Sequence, residues 1–389
     1  MENKERALAH VEKIEWIRPI EGADNIELIG VLGWVCIAKK GEFNVGDMAV
    51  YIEIDSKCPE TDERFEFLAN KKFKVKTMKL GKFKVISQGL ALPLSLFPEL
   101  QDRNIGDDVT EDLKITYASE EDVARKTNKV DPNAKYKSMA KRRPKLFANP
   151  IVRRIMRYSI GRKIMFLLFG RKKDNPKKFP DWIVKTDETR IENAPFYLQS
   201  TEKWIKTEKC DGTSCTFAVD RLKKGKNKFD FIVCSRNVRQ ADREQACYHE
   251  SNIYWELADK YDIEKILIQF ATENNYNRVV LQGEGVGSVQ GNPYKLTENK
   301  LFVFNLIIDG TRLGTVEMSD FCKSHGLTSV PIIDTAYELP KTMEEMKLEA
   351  DGYSELNPKV KREGFVYRSI DGQQSFKNVS REYLLKHNG

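Results

Sequence analysis

Several short stretches in the C-terminal half place reactive and charged side chains at the ends of strand-like runs. In Glu208-Lys209-Cys210-Asp211-Gly212-Thr213-Ser214, lysine is followed two residues later by aspartate and glycine, at the entry to the run CTFAV. A lysine amine can act as a nucleophile, and glycine lets backbone approach a phosphate closely. Taken alone, a surface turn before a strand is the simpler account. Further along, Ser235-Arg236-Asn237 ends the run FIVC and offers a bidentate anion donor. Gln282-Gly283-Glu284-Gly285 sets a carboxylate between glycines, and Leu301-Phe302-Val303-Phe304-Asn305 puts aromatics on a strand. Glu363-Gly364-Phe365 opens another strand with a carboxylate, and Ser375-Phe376-Lys377 brings a lysine to the last one. Each by itself is explained as a solvated strand end or a core aromatic. The order Lys, Arg, Glu, Glu, Lys along one chain is harder to explain that way.

In that order the stretches resemble the motif series of the covalent nucleotidyltransferases, the polynucleotide ligases and messenger-RNA capping enzymes. Lys209-Cys210-Asp211-Gly212 resembles the first motif, and Ser235-Arg236-Asn237 follows it. Glu284 resembles the third motif, with Phe304 its aromatic companion, and Glu363-Gly364 and Lys377 resemble the fourth and fifth. The resemblance implies that the enzyme adenylates itself, passes AMP to a 5′-phosphate end, and lets a 3′-hydroxyl expel AMP. Lys209 would be the nucleophile. An ordinary lysine, with a pKa of about 10.4, must first be neutral, and a nearby cation such as Lys377 or a metal ion favours that form. By the same resemblance Asp211, Glu284 and Glu363 hold Mg²⁺ or Mn²⁺, directly or through water. Glu208 joins the nucleotide site, Glu284 reaches the ribose hydroxyls, Arg236 the sugar or a substrate phosphate, and Phe304 the adenine face. Phage-type relatives carry two lysines in the fifth motif. Here Lys377 is followed by Asn378 and Val379, and the next lysine is Lys386, so a single lysine is expected to serve.

The elements that must position these groups divide by charge and pattern. From Val11 to about Leu113, short strand-like runs alternate with turns at Gly22, Gly41, Gly46 and Gly81, which predicts a small β-barrel or sandwich. Within it, Lys71 to Lys84 interleaves lysines with Phe73 and Phe83. That pattern suits either a nucleic-acid groove, with Lys74, Lys76 and Lys82 meeting phosphates, or an ordinary solvated barrel face. The middle segment carries KRRPK, VRRIMR and GRKIMFLLFGRKK, and helical spacing runs from Ile151 to Phe169. A packed connector helix, a polyphosphate contact and a membrane-surface helix all fit it, the connector being the simplest. Beyond Asp181 the pattern is α+β, with the helical stretch SNIYWELADKYDIEKILIQFATEN enclosed by strands.

A β-rich module ahead of the catalytic motifs, together with EGADNIE, SQGLALPL and KTDETRIEN (Lys185 to Asn193), resembles the Deinococcus/Naegleria type of ATP-dependent RNA ligase. The implied architecture is an N-terminal OB-fold β-barrel followed by an antiparallel-sheet-rich, ATP-grasp-like nucleotidyltransferase domain. Its expected divisions are 1–117 for the OB fold, 118–180 for a basic linker, and 181–389 for the adenylyltransferase. The implied cofactors are ATP and Mg²⁺ or Mn²⁺. The implied partner is RNA, or an RNA-containing duplex, with a 5′-phosphate end. The competing readings are a GTP-dependent capping-type guanylyltransferase and a non-catalytic nucleic-acid-binding protein on the same scaffold.

Composition bounds these readings. The 389 residues suffice for two or three domains, and Lys+Arg 65 against Asp+Glu 58 leaves a mild basic excess that permits polyanion binding. The apolar run Ile164 to Phe169 spans only six residues, whereas a membrane span needs roughly twenty. The charged N-terminal sequence lacks the apolar core of a signal peptide. The expectation is therefore a cytoplasmic protein with no membrane partner, and it is taken as a monomer. Seven cysteines without a CxxC pair point to reduced thiols. Cys247 with His249 and Cys322 with His325 lack the second pair that a zinc site needs.

Overall fold

The computed structural model describes residues 6–118, 143–169, 177–222, 228–241, 243 and 252–387. Those residues cluster into two compact units. One takes 6–118, 187–210 and 330–387; the other takes 143–186 and 211–329.

In the first unit, alternating apolar residues build a five-stranded sheet. Its order is Trp34–Lys39, Ile26–Val31, Ala9–Pro19, Met48–Ile52, Leu90–Pro93. Ala9–Pro19 pairs with a neighbour on each side. An irregularity between Ile14 and Trp16 bends it, as a strand turning a barrel corner requires. Closure comes from Gln88, whose N–H donates to Val35 O at 2.8 Å. The module is a small β-barrel, one of the two forms its strand spacing predicts, and of the OB type that the resemblance implies. The stretch Lys71 to Lys84 departs from its near-alternating pattern. A 3₁₀ helix, Glu63–Lys71, ends in left-handed Lys72 and Phe73, and a small hairpin of Met78–Leu80 and Val85–Ser87 follows.

The same unit holds a second five-stranded sheet, ordered Thr189–Arg190, Ser375–Val379, Gly364–Ser369, Trp204–Glu208, Ile332–Tyr337. Tyr367 and Tyr197 each stack on Phe376, with ring centroids 5.0 and 4.9 Å away. The barrel and this sheet share a core, because Val379 and Leu384 pack among Ile29, Trp34 and Tyr51. At their junction Gly33 N–H donates to Glu192 O at 2.8 Å, and a Cβ on Gly33 would come within 2.7 Å of Glu192 Cα. The buried Lys347 Nζ reaches Glu192 Oε1 at 2.6 Å and Val379 O at 2.7 Å.

An eight-stranded sheet forms the second unit. Its centre is Phe229–Cys234, Thr213–Arg221, Arg278–Val286 and Lys300–Ile308, all antiparallel. The helical stretch resolves into Ile253–Lys260 and Ile263–Glu273. Asn252 caps the first by accepting from the N–H groups of Tyr254 and Trp255. Leu257, Leu267, Met318 and Phe217 fill the core between helices and sheet. Among the described residues no helix is long and apolar enough to cross a membrane. The described cysteines are buried and form no disulfide with one another, whereas Cys247 and His249 lie outside the described residues.

Candidate active site

Lys209 follows the buried strand Trp204–Glu208, which is hydrogen-bonded between two neighbours. Its backbone N–H donates to Gly364 O at 2.9 Å, holding the lysine at the strand end. The ammonium Nζ lies 2.7 Å from Glu363 Oε1, so residues 154 apart in sequence meet across one strand pair. Gly364 is required there: its φ is +149°, and a Cβ would stand 2.1 Å from Asn378 O. Glu208 faces away from solvent. Its carboxylate accepts from Ser354 Oγ and from Glu355 N–H, and burial raises its pKa.

Lys377 sits on the adjacent strand, with Nζ 2.6 Å from Asp187 Oδ1. Arg190 is its register partner in a parallel pair, and Arg190 Nη2 is tied to Asp55 Oδ2 at 3.0 Å. Burial brings the Lys377 ammonium down to about 8. Asp187 opposes that shift, and the cations Arg190, Arg6 and Lys209 add to it. Neither Asp187 nor Arg190 stood out as a candidate in the sequence. The run KTDETRIEN contained both, but no local pattern pairs it with Lys377. Lys386 is exposed on the C-terminal helix Arg381–His387, off the strand that carries Lys377.

The remaining motif residues belong to the other unit. Asp211 N–H donates to the hydroxyl of buried Tyr294 at 2.8 Å. Gly212 and Gly285 face each other so closely that a Cβ on Gly212 would meet Gly285 O at 2.4 Å. Glu284 is half-buried on Arg278–Val286, opposite Ser214 on one side and Phe302 on the other. The ladder skips a residue between Gln282 and Gly283, whose partners are Asn305 and Val303. Phe304 is the residue passed over, and such a bulge re-aims a side chain. It is half-buried. Beneath it, Asn305 Nδ2 donates to Gln282 Oε1 at 2.9 Å, and Gln282 Nε2 donates to Val184 O at 2.8 Å. Arg236 lies exposed on the tight turn where Ser235 N–H meets Val238 O.

Among the described residues no three His, Cys, Asp or Glu side chains converge as a metal cage. Asp211 and Glu284 supply hard oxygen donors at one end of two paired strands. That set fits a cation such as Mg²⁺, which takes one or two carboxylates and completes its shell with phosphate and water. In the barrel, Lys74 and Lys76 are half-buried, whereas Lys82 is exposed with Nζ 5.0 Å from the Phe83 ring centroid.

Family models match in two places, an OB-fold domain over residues 8–94 and an RNA ligase over residues 202–386. Among solved structures, Naegleria gruberi RNA ligase with PPi is 31% identical, at a TM-score of 0.75, covering 98% of this chain and 99% of that one. A variant of the same ligase with ATP and Mn is 30% identical at a TM-score of 0.73, with coverage of 98% and 99%. Another, crystallised without ligand, gives 30%, 0.75, and coverage of 100% and 99%. No curated protein sequence matches. The chain belongs to the RNA ligase family, in its Naegleria type, with the OB-fold domain ahead of the ligase domain.

Proposed function

We propose that this chain seals RNA ends with ATP through a covalent Lys209–AMP. The observation that carries the reading is Lys209 fixed at a buried strand end, its Nζ on Glu363 and Lys377 among its electrostatic neighbours. The neutral amine forms a bond to the α-phosphorus of ATP, and pyrophosphate leaves. The AMP then passes to a 5′-phosphate, and a 3′-hydroxyl displaces it. Glu363 orients the amine beforehand, and Lys377 offsets phosphate charge as pyrophosphate departs. Phe304 supports the adenine, Glu284 the ribose, Arg236 a sugar or phosphate, and Glu208 shapes the pocket wall from its buried place. A divalent ion reached by Asp211, Glu284 and Glu363, directly or through its waters, would add charge neutralisation at phosphate. The ATP and Mn bound by the Naegleria relative support that pairing.

The substrate we assign is RNA, or an RNA-containing duplex, with a 5′-phosphate end, joined by a monomer during RNA repair. Functionally, 1–117 grips nucleic acid through Lys74, Lys76 and Lys82, 118–180 links, and 181–389 performs the chemistry. Incubation with labelled ATP or GTP, then denaturing electrophoresis, tests the reading. Label from ATP should stay with the protein and vanish in Lys209→Ala. Retention of label by that variant, or labelling by GTP alone, overturns it.

A further inference from the structure

None of the residues assigned to that chemistry lies in the basic middle segment, whose described helices have an unusual surface. Pro150–Met156 and Ser159–Phe169 are joined at a tight corner, where a Cβ on Gly161 would stand 2.1 Å from Ile155 O. Met165 is buried on the inner side of the second helix. Its outer side carries Ile160, Ile164, Leu167 and Leu168 at helical spacing i, i+4, i+7, i+8, with exposures of 71, 50, 84 and 65%. Ile151 and Ile155 on the first helix, and Tyr158 in the corner after it, are also exposed. Isolated exposed leucines are ordinary, but a continuous stripe marks a contact surface.

Charge identifies the contact. From Lys141 to Lys173 the sequence contains no aspartate or glutamate. Arg153, Arg154, Arg157 and Lys163 are exposed, and among the described residues no carboxylate pairs with them. Nucleic acid would satisfy the arginines and leave the aliphatic stripe in water. An anionic lipid surface satisfies both, with headgroups meeting arginine and acyl chains meeting leucine. The longer helix, at about 1.5 Å per residue, falls far short of a bilayer core of about 30 Å, so it lies along the surface.

We propose that these two helices seat the ligase on anionic membranes, which reverses the sequence-based expectation of no membrane partner. Flotation of the full-length protein with vesicles tests this. It should float with phosphatidylcholine containing about a third phosphatidylserine and stay behind with phosphatidylcholine alone. Ile164→Ser/Leu167→Ser/Leu168→Ser, and separately Arg153→Gln/Arg154→Gln/Arg157→Gln, should each cut the bound fraction by at least about tenfold. Both should keep wild-type melting and wild-type AMP labelling. In an otherwise intact chain, Leu167→Trp emission should shift to the blue on anionic vesicles. Failure of the intact chain to float, or floating undiminished by the serine variant, overturns the proposal. Loss of RNA binding in the arginine variant with vesicle binding intact would assign the surface to nucleic acid instead.

Discussion

Burial holds the Lys377 ammonium down to about 8, with Arg190, Arg6 and Lys209 adding to the depression and the carboxylate of Asp187 opposing it. Raising pH through about 8 removes its positive charge, and with it an attraction for nucleotide phosphate. ATP affinity, measured by equilibrium binding, should therefore weaken as pH rises from about 7 to about 9. Lys377→Arg stays charged across that range and should flatten the profile. Asp187→Asn removes a carboxylate that props the pKa up, so the break should move to lower pH. A wild-type slope in Lys377→Arg would separate the pH dependence from this lysine. The stability sign follows from the same depression. Between about 8 and the unfolded value of about 10.4, the unfolded chain holds more protons, so this lysine's contribution to stability rises with pH.

At the scale of strands, the motif glycines are packing requirements. Gly364→Ala must push its Cβ into Asn378 O, and should lower stability by about 2–4 kcal/mol in urea titration. Gly81→Ala, with nothing within 4 Å of its Cβ, is the matched control and should change little. Most strands were legible because buried central strands read as apolar runs: CTFAV, FIVC, RVVLQ and LFVFN all lie in the eight-stranded sheet. The helical stretch was legible from its periodicity, although the break at left-handed Asp262 was not located. Lys71 to Lys84 misled because the chain reverses at Lys72 and Phe73, residues that carry no turn signal. The Phe304 bulge was invisible too, since a ladder's skipped residue depends on its partner strand. Phe304→Ala should weaken ATP binding with little loss of stability, as its ring is only half-buried. Equal losses of both would make it a core residue instead.

Across the whole chain, what local patterns could not convey is that residues near 30, 190 and 380 build one unit. Glu192→Ala would leave Lys347 buried without its carboxylate and should cost about 3–5 kcal/mol. Pairing Lys347→Met with Glu192→Leu should recover much of that loss in thermal melts, and failure to recover would point to a packing defect at 192. The same joint makes point variants a cleaner probe of the barrel than its removal, which would bare Val379 and Leu384. Charge reversal at Lys74, Lys76 and Lys82 should weaken RNA binding and reduce its salt slope by about 0.7 for every phosphate no longer neutralised. AMP labelling should persist in that variant. An unchanged slope would remove these lysines from the RNA path.

The shared core around Trp34, Val379 and Leu384 also sets a timetable. During synthesis the barrel strands emerge long before Val379 and Leu384, which cover one side of their core. The nascent barrel must therefore wait with that apolar side open until those residues are made, which is the condition that invites chaperones or misassembly. In refolding followed by pulsed hydrogen exchange, amides of Ile29 to Ala38 should gain full protection only together with those of Phe376 to Leu384. Early, independent protection of the barrel would show that it matures without waiting for Phe376 to Leu384.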